Sequence, residues 1–139
     1  MKKILTPLLV VGFFFSCKKE SAVQQSLDNI SKTITYDLKA DEGDPNLEAS
    51  VTLQIISYNH TGGTGDRIVW DTVLTKQKVN DFVPVNIKHS ITTDAATILS
   101  ASYRIDYYKG NDFFWTTDGS KTIFQNSREG QVNVSVGSF

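Results

Sequence analysis

Between Leu99 and Tyr108 the chain alternates without a break. Leu99, Ala101, Tyr103, Ile105 and Tyr107 fall on one phase, and Ser100, Ser102, Arg104, Asp106 and Tyr108 on the other. A period of two is the signature of a strand with one buried face, and no helix can satisfy it. Ile34, Tyr36, Leu38 and Ala40 alternate in the same way with Thr33, Thr35, Asp37 and Lys39. Val51, Leu53 and Ile55 alternate with Thr52 and Gln54, and Val132, Val134 and Val136 form a last alternating run. Val83, Val85, Ile87, His89 and Ile91 share one phase of a further strand, with Pro84 on the opposite phase. Because proline cannot donate to a ladder, that strand is expected at a sheet edge. Arg67 to Thr75 is rich in Val, Ile and Trp and reads as a strand whose phase the pattern leaves open.

Turn residues punctuate these runs at near-regular spacing: Asp41 to Asn46, His60 to Asp66, Gly110-Asn111-Asp112, Asp118-Gly119 and Arg128-Glu129-Gly130. Phe113-Phe114-Trp115 and Lys121 to Gln125 are expected as two separate segments on either side of Asp118-Gly119. The total is seven or eight short strands and no long helix after the N-terminal region. That pattern predicts an all-β antiparallel sandwich with Greek-key connections. In strand number and pattern it resembles the immunoglobulin and fibronectin type III architectures; a small closed β-barrel is the alternative.

The N-terminus has a different character. Lys2 and Lys3 precede an apolar run from Ile4 to Phe15, followed by Ser16 and by Cys17, the single cysteine of the chain. A positive start, an apolar core and a small residue before a cut make a secretory signal. Twelve helical residues rise only ~18 Å, too short for a ~30 Å hydrocarbon core. Ser16-Cys17 resembles the lipobox of bacterial lipoproteins, with Phe14 and Phe15 in place of its usual aliphatic and small residues. The aromatic-rich core ending in Ser-Cys-Lys-Lys is similar to small lipoproteins of Bacteroidota. The resemblance implies cleavage before Cys17, a diacylglyceryl thioether on its sulfur and usually a further acyl chain, such as palmitate, on its amine. Two or more chains give stable anchoring at ~0.8 kcal/mol per buried methylene.

On this reading residues 1–16 are the signal peptide, 17–30 the lipidated start and a flexible tether, and 31–139 the β-sandwich. The tether would reach roughly 20 Å as a coil. The chain is expected in the cell envelope, at the outer membrane, held to the bilayer through Cys17. Losing Lys2 and Lys3 takes the formal charge from −1 to −3. No basic stripe remains, which argues against nucleic acid as a partner.

Candidate chemistry is sparse. Gly62-Gly63-Thr64-Gly65 lacks the Gly-Lys-Ser/Thr ending and following helix of a phosphate loop, and reads as a hairpin loop. Asp41, Glu42, Asp44 and Asn46 crowd hard oxygen donors into six residues, part of a calcium shell. Their spacing does not follow the helix-loop-helix pattern, and a solvated acidic turn is the reading adopted. His60 and His89, without a cysteine partner, make neither a zinc set nor a triad. No metal or other cofactor is expected.

Trp70, Tyr108, Phe113, Phe114 and Trp115, with Tyr58, are the material for a binding surface, since aromatics give large contact area at low entropic cost. Strict alternation would put Phe113 and Trp115 on one face and Phe114 on the other. The function read from these features is an anchored, non-catalytic binding or accessory module for a glycan or another envelope protein. A structural envelope component is one alternative. A glycan hydrolase built on Asp106, beside Arg104, and Asp71 is another, and needs two carboxyls within ~10 Å in a cleft.

Overall fold

A computed structural model describes residues 28–58 and 65–137. The expected signal peptide, Cys17, most of the expected tether, and His60 with Gly62-Gly63-Thr64 lie outside the described residues. Seven strands follow in order: β1 (Asn29–Ala40), β2 (Leu47–Tyr58), β3 (Arg67–Lys78), β4 (Val85–Asp94), β5 (Ile98–Lys109), β6 (Asp112–Ile123) and β7 (Glu129–Val136). The one helical element among them is a single 3-10 turn, Val79–Asp81. One sheet has the order β4-β1-β7 and the other β3-β2-β5-β6. All neighbours run antiparallel except β1 and β7, which pair in parallel from Thr33↔Glu129 to Ala40↔Val136. The protein is an all-β sandwich of seven strands.

The alternating residues named from the sequence meet between the sheets. Ile34, Tyr36, Leu38, Val132, Val134 and Val136 face Leu47, Ala49, Val51, Leu53, Ile55, Leu99, Ala101, Ile105 and Tyr107. Each large aliphatic side chain removed from water contributes roughly 1.5–3 kcal/mol. Tyr36 spans the layers and donates its hydroxyl to the Gln54 carbonyl at 2.6 Å. The Tyr107 hydroxyl accepts from the Gly137 N–H at 3.0 Å. Each ring can therefore be buried without an orphaned hydroxyl.

Two expectations change, and one open point is explained. First, Asp118-Gly119 is not a turn: β6 runs straight through it, which gives seven strands rather than eight. Gly119 lies opposite Tyr103 in register, and a Cβ there would stand 2.7 Å from the Tyr103 ring. The glycine is explained by close approach of an aromatic ring, not by turn geometry. Second, Val83 and Pro84 precede β4, and Val83 and Val85 are exposed, so the buried phase of that strand starts at Ile87. As expected, β4 is an edge strand. Third, β3 changes phase because it carries two bulges. Thr75 and Lys76 lie between the pairs Val51↔Leu74 and Ala49↔Gln77, and Val69 between Ile55↔Trp70 and Ile56↔Ile68. An inserted residue flips the side chains beyond it, so no single alternation could fit.

Candidate binding hairpin

Strand direction gives the sandwich two poles. At the near pole β1 begins, and the turns β4–β5 and β6–β7 close the end. At the far pole β1 leads into β2, β3 leads into β4, and β5 turns into β6. A twelve-residue strand at ~3.4 Å per residue sets the two roughly 40 Å apart.

The far pole carries the aromatic hairpin. Gly110, at φ 62°, makes the turn between β5 and β6, a conformation glycine adopts without strain. The pairing then slips: Tyr107 stands opposite Trp115 but Tyr108 opposite Phe113, leaving Phe114 as the extra residue of a bulge. The bulge overturns the expected sharing of one face by Phe113 and Trp115, because it inserts a residue between them. Trp115 goes to the inward side and stacks on buried Tyr107 at 5.9 Å and 15°. Phe113 goes to the outer face and meets Tyr108 edge-on at 6.1 Å and 80°. Phe114 lies beneath the Lys109 ammonium, 4.5 Å from its ring centre. Their exposures are 59% for Phe113, 52% for Phe114 and 44% for Trp115, so the rings wrap an edge strand and remain open to water. Half-buried Tyr108 carries the Lys76 ammonium 5.0 Å from its ring. Lys76 also donates to the Gly110 carbonyl at 2.8 Å and pairs with Glu48 at 2.8 Å. The hairpin is thereby pinned to β3 across the sheet.

Trp70 is not part of this cluster. It sits on β3, at the opposite edge of the sheet, half-buried against the core. Its ring stacks on His89 of β4 at 4.7 Å and packs on Tyr36 at 5.9 Å, closing the side of the sandwich. Among the described residues no three His, Cys, Asp or Glu side chains come together as a metal site. Within the acidic loop, Asp44 accepts from the Asn46 N–H at 2.9 Å and from the Leu47 N–H through its carbonyl at 3.0 Å, a turn that organises itself.

Asp106 pairs with the Arg104 Nε at 2.8 Å and accepts the Thr116 hydroxyl at 2.7 Å. Asp71 lies across β2 from it and four residues further along, since Gln54 pairs with both Asp71 and Ser102. Strand spacing and rise put these two carboxyl-bearing residues roughly 15–20 Å apart on an open sheet face. That is too far for a hydrolytic pair.

Sequence reasoning missed Lys32. It is in phase with Ile34, Tyr36 and Leu38 and is fully buried at the near pole. Its ammonium donates to the Thr97 carbonyl at 2.7 Å and to the Phe124 carbonyl at 3.0 Å. Burial pulls its pKa below the ordinary lysine value, partly countered by Asp94. Burial likewise pushes the Tyr36 and Tyr107 hydroxyls up. The available signal was phase: a lysine on the inward register of a terminal strand.

No family model matches the chain, and neither the curated proteins nor the solved structures include a detectable relative.

Proposed function

We propose that this chain is an envelope lipoprotein whose acylated Cys17 holds a β-sandwich at the outer membrane, and that the β5–β6 hairpin is its binding surface. The observation that carries the reading is polarity. The chain reaches β1 at the near pole, while Phe113, Phe114 and Trp115 lie at the far pole, away from an N-terminal anchor. An anchor at one end and a cluster of exposed aromatic rings at the other, against the single exposed Phe124 of the near pole, is the arrangement a tethered binding module needs. Aromatic side chains held on a paired strand lose little entropy when they bind. The partner is a glycan or another envelope component.

Metabolic labelling with a palmitate analogue, in cells expressing the full chain and its Cys17→Ser variant, tests the anchor. Label is expected in the wild type alone and in the membrane fraction. Equal label in the variant, or an unlabelled soluble wild type, would end the reading.

A further inference from the structure

The two outer faces of the sandwich are mainly polar, apart from exposed Ile68 and Val73 on β3, but they differ at the far pole. On the β4-β1-β7 sheet the outer residues are short and polar or charged, with a shallow depression of about 350 Å³ among Thr33, Thr35, Lys88, Lys121 and Gln131. On the other sheet a similar depression, about 440 Å³, lies over β5 and β6 and is lined by Gln54, Ser102, Arg104, Thr116, Asp118 and Ser120. Here the strands run on into Tyr108 and Phe113, one row beyond Asp106 and Thr116. A trough of polar side chains, lined also by the Tyr103 ring and Gly119, thus leads toward an exposed aromatic ring on the same face.

We infer that this outer face binds a neutral glycan lying along β5 and β6, one sugar stacked on Phe113 and its neighbours hydrogen-bonded in the trough. The inference rests on the binding-module reading above and names its ligand class. Three observations select that class. Lys76 and Arg104 are each matched by a carboxylate, Glu48 and Asp106, at 2.8 Å, while Asp71 and Asp118 add two carboxylates outside these pairs. Arg104 also stands opposite Asp118 in register. With these cations neutralised and carboxylates in excess, the face disfavours a polyanion and suits an uncharged ligand over an acidic one.

Second, the trough offers hydroxyl, amide and guanidinium groups on a backbone fixed by ladders on both sides of β5. Beyond its Nε bond to Asp106, Arg104 has no other partner among the described residues, and neither do the side chains of Gln54, Ser102 and Asp118. These donors and acceptors are set at strand spacing and cost little further ordering when a polyhydroxylated ligand replaces their water. Third, Phe113 supplies an apolar ring, of the kind needed to cover the C–H face of a sugar, at the rim rather than at the centre. The volume of the depression is that of a small-ligand site.

The test is affinity electrophoresis of the detergent-solubilised full chain in gels cast with soluble neutral polymers (a β-glucan, an α-glucan, a galactomannan, an arabinoxylan), with alginate as the acidic comparison. Retardation by at least one neutral polymer is expected. Phe113→Ala and Arg104→Ala should each weaken it about tenfold, while Lys88→Ala, on the opposite outer face, leaves it unchanged. No retardation by any neutral polymer, retardation by alginate alone, or a neutral-polymer shift insensitive to both substitutions would overturn the inference. Retention of membrane label by Cys17 together with no glycan shift would separate this failure from failure of the lipoprotein reading. Capture of a protein partner lost in Phe114→Ala would do the same for the hairpin.

Discussion

The two poles of the sandwich are built on opposite principles. At the near pole, the Ala95 N–H donates to Asp28, the Asn126 N–H to Ala95 and the Thr33 N–H to Arg128. Lys32 reaches from inside to bind both the β4–β5 and β6–β7 turns. Polar groups there are buried and matched, although the single Phe124 ring of the β6–β7 turn is 66% exposed. At the far pole Val79, Gly43 and Gly137 close the core in tight contact, and beyond that seal the rings of β6 stand in water. Folding alone gives no reason to leave so much aromatic area exposed on an edge strand, where it invites association. The difference teaches that the near pole is closed by matched polar groups, whereas the far pole leaves clustered rings open beyond its seal.

The contrast can be broken by substitution. Tyr107→Ala, which removes the ring that carries Trp115 and seals the far pole, should have the largest effect, about 3–5 kcal/mol lost in denaturant unfolding. Next comes Lys32→Ala, expected to cost about 2–4 kcal/mol because it leaves a cavity and two unpaired carbonyls. Lys32→Met, which fills the volume but not the bonds, should lie between. If Lys32→Ala is neutral, the near pole is not held as described.

Alkaline pH gives a smaller, graded effect. Tyr36 and Tyr107 resist ionisation in the folded state. Above the ordinary tyrosine value of 10.0 the unfolded chain therefore releases protons that the folded chain keeps, and stability falls as pH rises. Lys32 opposes this slope, since its lowered pKa lets the folded state lose a proton before the unfolded one does. Unfolding midpoints measured across that range should decline more gently in Tyr36→Phe than in the wild type; an unchanged slope would show that Tyr36 is not proton-linked.

Gly119→Ala should cost about 1 kcal/mol, because the half-buried Tyr103 ring can move aside. The smallest effect belongs to the proposed binding surface: Phe114→Ser should change stability by no more than about 0.5 kcal/mol. A loss above 2 kcal/mol would place Phe114 in the core and erase the distinction between the poles.

How much was legible in the sequence depends on the range of the interaction. Leu99 to Tyr107 and Ile34 to Leu38 were placed on their buried faces by alternation alone, because side-chain direction in a strand is a local property. The aromatic hairpin was visible as composition, and its turn as Gly110-Asn111. Invisible were the slip that parts Phe113 from Trp115, the continuity of β6 through Gly119 and the role of Trp70. Each is set by what stands on another strand: Tyr108 and Tyr103 on neighbouring β5 for Phe113 and Gly119, and His89 of the opposite sheet for Trp70.

The sequence by itself determined the class: strands whose period of two leaves one face apolar can be stable only by burying that face against another sheet. Tertiary structure alone decided that β1 lies between β4 and β7, that a lysine belongs inside, and that four aromatic residues gather at one end. Those outcomes depend on pairs more than sixty residues apart in several cases, such as Lys32 with Thr97 and Phe124. No local pattern encodes which distant carbonyl will be waiting when the layers close.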